Sequence, residues 1–218
     1  MKSVQFHLFG IETRVHPSFV GLLLYYAYQC AHFNQPLWVG VIGMLCLFMS
    51  VLIHELGHAL MLRLFGSGPC IKITIHAIGG HVVRCAPCNE RLSAAGKIAV
   101  AFAGPLAGFC FAIVAYILMI SSKTDVLLLT ATNLVIMNVV LSLSNLLPTI
   151  PLDGGRMMEA LINGILGRTL VSIFLVTLIS STTAMGAFSL SWAFLDPVTT
   201  GMVGLIVLVN VMRIFLDI

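Results

Sequence analysis

The sequence predicts an all-α polytopic membrane protein with about six transmembrane helices and a small membrane-associated β-hairpin with an edge strand. Of its 218 residues, 59% are hydrophobic and only 9% are charged, whereas soluble domains carry about 25% charged residues. Apolar runs recur along the whole chain, several of them near the ~20 residues needed to cross hydrocarbon. One of these runs, Ser50-Val51-Leu52-Ile53-His54-Glu55-Leu56-Gly57-His58-Ala59-Leu60, contains two histidines and a glutamate. An acidic residue at mid-helix costs about 2.5–3.5 kcal/mol on translocon scales, so such a residue marks a functional site. The net charge of +3 is too small to suggest nucleic acid.

Residues 4–16 alternate weakly, with Phe6 and Leu8 before Gly10 and Ile11, Thr13 and Val15 after it. This is the pattern of a small hairpin at the membrane surface. The stretch is polar throughout and lacks a short apolar core followed by a small-residue cleavage site, so no cleavable signal peptide is expected. Pro17 opens a first helix over 17–32, short for a span. The second helix covers 37–65 and ends at Arg63 and Gly66.

On that second helix His54 and His58 are four apart, hence separated by about 40° around the axis. Two imidazoles so placed can grip one divalent metal, usually zinc, with Glu55 beside them to handle a metal-bound water. At 1.5 Å per residue the pair lies roughly 8–14 Å inside the face marked by Arg63.

Residues 67–95 form the longest polar segment. Ile71, Ile73 and Ile75 alternate with Lys72, Thr74 and His76, a strand pattern. Gly79-Gly80 breaks it, and His81–Arg84 reads as the return strand. Cys85-Ala86-Pro87-Cys88 has no second CxxC to complete four ligands, so a spectator turn is expected. Cys30, Cys46 and Cys110 fall in or beside apolar runs, where free cysteine behaves as a small hydrophobe.

The third helix, 96–120, presents Ala95, Ala99, Ala103 and Ala107 beside Gly104 and Gly108, a small-residue face for close packing in lipid. Pro105 should kink it. The fourth helix, 126–147, places Asn138 and Asn145 on one face; structural hydrogen bonding suffices to explain Asn138. Two prolines in Asn145-Leu146-Leu147-Pro148-Thr149-Ile150-Pro151-Leu152-Asp153-Gly154-Gly155-Arg156 then stop the helix and hold an extended turn. Asp153 either faces the interior or caps a short helix over 154–166. Spans over 169–193 and 199–216 close the chain.

With the N-terminus in the cytoplasm and six spans, Lys2, Arg14, Arg63, Lys72, Arg84, Arg91, Lys97, Arg156, Arg168 and Arg213 fall on the cytoplasmic side and Lys123 outside, a strong positive-inside bias. The site should then open toward the cytoplasm, and the loop cysteines should stay reduced. A membrane metal transporter or channel is the alternative function, but its path would show polar residues at several depths. Here they cluster on one side.

Taken in order, His54-Glu55-Leu56-Gly57-His58, Gly79-Gly80, Phe102-Ala103-Gly104-Pro105-Leu106 and Asn145 through Gly155 resemble the site-2 protease family of intramembrane zinc metalloproteases. Phe9-Gly10-Ile11 and Val15-His16-Pro17-Ser18 extend the resemblance over nearly the whole chain. The layout is similar to the compact six-span subgroup that includes the bacterial sporulation-factor-processing peptidase. The resemblance implies one catalytic domain over 1–218, with no PDZ or CBS domain, in a prokaryotic cell membrane.

It further implies one zinc per chain held by His54, His58 and Asp153, with a fourth position left for water. Glu55 would be general base and then proton donor to the leaving amine. Asn145 would bond the substrate backbone or the oxyanion. The strand around Ile75 with Gly79 and Gly80 would be an edge where the substrate's single transmembrane segment unwinds and pairs. That substrate would be a membrane protein such as an anti-sigma or membrane-tethered transcription factor. A catalytically dead scaffold is disfavoured by the intact His54, Glu55, His58 and Asp153. Many relatives have Asn where this chain has Gly108, which implies altered helix packing there.

Overall fold

A computed structural model describes residues 3–66, 71–76, 79–84 and 92–194. Ten elements follow one another: β1 Val4–Leu8, β2 Ile11–Val15, α1 Phe19–His32, α2 Leu37–Leu64, β3 Ile71–His76, β4 Gly79–Arg84, α3 Ala94–Ile120, α4 Asp125–Asn145, α5 Asp153–Leu166 and α6 Leu170–Phe194. Chain packing divides them into two compact units, Met1–Arg91 with Ala103–Ser142, and Leu92–Phe102 with Leu143–Ile218.

The first unit holds a four-stranded sheet in the order β1-β2-β3-β4. The β1–β2 and β3–β4 pairs are antiparallel, whereas β2 and β3 run parallel, with Glu12 opposite Lys72 and Val15 opposite Ile75. The His16 amide continues that ladder by donating to the Ile75 carbonyl at 2.8 Å. Alternation decides the two faces. Ile11, Thr13, Ile71, Ile73 and Ile75 are each at most 1% exposed, while Glu12, Arg14 and Lys72 project from the other face and pair there.

β3 and β4 both pack on α2. At the β1–β2 turn, where Phe9 and Gly10 adopt positive φ, Arg63 from the last turn of α2 donates to the Phe9 carbonyl at 2.7 Å. The turn is thereby tied to the helix end.

This topology corrects the edge-strand expectation for Ile75. β3 is an interior strand, hydrogen-bonded on both sides, and Ile75 is wholly buried. The parallel partner β2, which covers it, comes from far upstream. The rims of the sheet are β1 and β4, so Gly79 and Gly80 do lie on an edge.

Four helices of the described residues, α2, α3, α4 and α6, are long and apolar enough to cross a membrane. α1, expected as a span, has 14 residues; at 1.5 Å per residue it reaches about 21 Å, short of the ~30 Å of hydrocarbon. The sixth expected span, 199–216, and the Cys85/Cys88 turn lie outside the described residues. α3 runs on through Pro105 from Ala94 to Ile120.

The second unit contains α5 and α6, which pack on each other. α6 braces the turn between α4 and α5. Thr149 Oγ1 donates to the Ser180 carbonyl at 3.0 Å, and Ser180 Oγ accepts the Ile150 amide at 2.7 Å.

Candidate active site

The metal-binding half of the site is built on one face of α2. Ser50, His54, Glu55 and His58 are all buried there, among Val51, Leu52, Leu56, Ala59 and Leu62. The four-residue spacing brings His54 Nε2 and His58 Nε2 to 3.2 Å, with the rings crossed at 82°. Two nitrogens bound at ~2.0–2.1 Å to one tetrahedral zinc stand about 3.3 Å apart, so the pair is already spaced for a shared ion.

Two glycines shape the space in front of these side chains. A Cβ on Gly104 of α3 would overlap His58 Nε2 and lie 2.9 Å from His54 Nε2. The missing methyl lets both imidazoles lie against the backbone of α3, and two buried ring nitrogens at this separation fit zinc. A Cβ on Gly80 of β4 would lie 2.5 Å from Glu55 Cγ and 2.8 Å from its Oε1, so the main chain of this edge strand rests directly on the carboxylate. Gly57 completes the packing: a Cβ there would strike the Ala103 carbonyl, so α2 and α3 meet backbone to backbone.

Asp153 is placed by irregular chain. It is the first residue of α5 and only 4% exposed. Leu152 occupies the N-cap position, so Asp153 is one residue inside the helix rather than at its cap. Two glycines make the turn possible. A Cβ on Gly154 would overlap the Leu146 carbonyl, and one on Gly155 would meet Thr149 and come within 2.6 Å of the Ile150 nitrogen. The helix start suits an ionised carboxylate, since the partial positive charge of a helix lies at its N-terminus. Arg156 Nη1 stands 3.8 Å from Asp153 Oδ1.

His54, His58 and Asp153 are all buried. Two neutral imidazoles and a carboxylate are a donor set for catalytic zinc, which leaves one coordination position open.

A chain segment, residues 123–188, matches the family model Peptidase family M50. A zinc metalloprotease of Methanocaldococcus jannaschii is 31% identical over 164 residues, 72% of this chain and 44% of that protein. A Synechocystis protein that bears a zinc metalloprotease name is 34% identical over 176 residues, 74% of this chain and 44% of that one. A solved structure, the site-2 protease of M. jannaschii, superimposes with a TM-score of 0.64 at 26% identity, covering 98% of this chain and 93% of the other.

Residues 123–188 thus match the M50 peptidases, and over nearly its whole length the chain is similar to a site-2 protease. It spans 44% of the length of each of these two curated relatives. The sequence pointed to His54, Glu55, His58 and Asp153, and the structure buries all four. Asn145 is the last residue of α4 and half-buried. Gly80 keeps its place beside the site, on the edge strand. The role of Gly104 against the imidazoles was missed: its membership of a small-residue face was visible, but which side chains lie opposite is a tertiary fact.

Proposed function

We propose that this chain is a zinc-dependent intramembrane endopeptidase that hydrolyses peptide bonds in or near the transmembrane segment of single-span membrane proteins. The observation that carries this reading is a pair of buried histidines on a membrane-crossing helix, with a buried glutamate next to the first and a buried aspartate at the start of α5. The 218 residues act as one catalytic domain. The site opens to the cytoplasm, as the distribution of basic residues indicates.

A zinc ion held by His54, His58 and Asp153 would supply Lewis acidity, polarising the scissile carbonyl and acidifying a water. Glu55 accepts the proton that the attacking water releases and returns it to the leaving amine as the C–N bond breaks. Asn145 donates to the substrate backbone or to the oxyanion. The substrate leaves its helical state, because a helical peptide bond is shielded and already hydrogen-bonded. It then adds to the edge of β4 that is unpaired among the described residues, where Gly80 lets its backbone come beside Glu55. Ile75 has no such role, since β3 has no free edge. An anti-sigma factor or a membrane-tethered transcription factor is the proposed kind of substrate.

The experiment is Glu55→Gln. Membranes bearing wild type or E55Q are compared by mass spectrometry of released peptides, with zinc measured on each purified protein. The variant should hold zinc and release no fragments. A variant that still cleaves at the same positions would remove Glu55 from the mechanism, whereas metal transport as the function would leave the fragment patterns identical.

A further inference from the structure

A buried polar node lies one helical turn from the first metal ligand, and the mechanism above does not use it. Ser50, Asn138 and Ser142 are each 0% exposed. Asn138 Nδ2 donates to Ser50 Oγ at 2.8 Å and to the Leu134 carbonyl at 2.8 Å. Ser50 Oγ donates in turn to the Cys46 carbonyl at 2.8 Å. The node therefore joins α4 to α2 side chain to side chain. Gly108 of α3 closes over it, since a Cβ there would overlap Ser142 Oγ.

Other helical hydroxyls bond back to their own backbone. On α4 Thr130 donates to the Val126 carbonyl, and on α6 Thr177 does the same to that of Ile173; neither bond ties two helices together. Asn138 reaches across to its neighbour and does so at a cost. Its Oδ1 is buried with no hydrogen-bond partner among the described residues, and an unsatisfied buried acceptor costs about 1–3 kcal/mol. A residue kept at that cost has something to hold.

What it holds is the turn that precedes His54. Ser50, His54 and His58 recur every four residues along one face of α2. An imidazole Nε2 stands roughly 6–7 Å from its helix axis, given a Cα radius of ~2.3 Å. Turning α2 by about 10° thus moves both ligand nitrogens by about 1 Å, while metal–ligand distances tolerate about 0.2 Å. In lipid no hydrophobic force fixes the rotation of one apolar helix against another; packing and interhelical hydrogen bonds must do it.

We propose that Asn138 is a positioning residue for the metal site, pinning the rotation of α2 through Ser50 and so fixing the direction in which the His54–His58 pair faces its ion. The inference rests on the metal-site reading and goes beyond it, by assigning part of the site's precision to a helix that carries none of the three ligands.

The test uses the full-length protein in detergent, charged with zinc or cobalt(II). Transfer of zinc to a colorimetric chelator, the visible spectrum of the cobalt form and thermal unfolding are read for wild type, S50A, S50T, N138L and V51A. Loss of an outer partner of a metal site typically weakens binding 10–100-fold. S50A and N138L should therefore release zinc at least about tenfold faster and shift the cobalt spectrum. S50T, which keeps the hydroxyl, should match wild type. V51A removes buried packing from the same turn and should lower the melting temperature without speeding zinc release.

Zinc release from S50A at the wild-type rate, or acceleration by V51A equal to that by S50A, overturns the proposal; S50A decides the matter if N138L does not fold. Wild type that binds no zinc would instead overturn the metal-site reading itself.

Discussion

The two stretches proposed to supply metal ligands achieve placement in opposite ways. On α2 the ligands ride a regular helix, and a spacing of four residues alone brings two ring nitrogens to 3.2 Å. Around Asp153 no period operates. The carboxylate is fixed by a turn whose glycines press on the carbonyls of Leu146 and Thr149 and whose middle is bonded to Ser180. In the helix, precision comes from repetition, and what threatens it is anything pushed against the rings. In the turn, precision comes from backbone contact, and what threatens it is any added atom.

The largest expected effect breaks the helical half. Gly104→Ala drives a methyl into the His58 ring and against His54, so the imidazoles must turn away and zinc content should fall from about one per chain to near zero, with no cleavage left, while the fold survives. Elemental analysis alongside circular dichroism checks both parts, and a zinc-replete G104A would show that the imidazoles do not depend on this contact.

Next comes the turn. Gly155→Ala forces overlap with Thr149, and overpacking of this kind costs typically 1–3 kcal/mol; it should lower the melting temperature and loosen zinc together. The contrasting change is Gly21→Ala in α1, where a Cβ meets nothing within 4 Å. Alanine there should gain about 0.5–1 kcal/mol through helix propensity. Equal melting shifts for the two variants would deny that the turn glycines are sterically required.

The smallest effect is one of pH and concerns the sheet that carries β4. Burial, then His81 and then His16, hold the His76 imidazole below the ordinary histidine value of 6.5. The His76 and His81 rings stack at 5.1 Å. The unfolded chain then binds a proton that the folded chain resists, so this contribution is present above the ordinary histidine value and is lost as pH falls below it. Hydrogen exchange in β3 and β4 should be faster at pH 5.5 than at pH 7.5, after correction for intrinsic rates, and His76→Asn should flatten the difference.

Legibility in the sequence follows the same divide. His54, Glu55 and His58 could be read because a helix converts spacing into angle, and four spans could be read because hydrocarbon demands length. Asp153 could be read only through resemblance; by its own chemistry it was equally a helix cap, and its place is set by an irregular turn packed on its own backbone, which no period announces. The alternation of Ile71, Ile73 and Ile75 announced a strand but not its neighbours, and β2 took the side that had been assigned to substrate. α1 could be recognised as helical, and its 14 residues as short, but periodicity does not tell a surface helix from a span.

The parallel pairing of β2 with β3 has a practical consequence for anyone handling this protein. Residues 4–15 supply half of the sheet, so trimming them would turn β3, an interior strand rich in isoleucine, into a rim with unpaired backbone groups. Exposed apolar rims recruit other chains. Shortened versions should therefore self-associate, and an affinity tag is better placed away from that end.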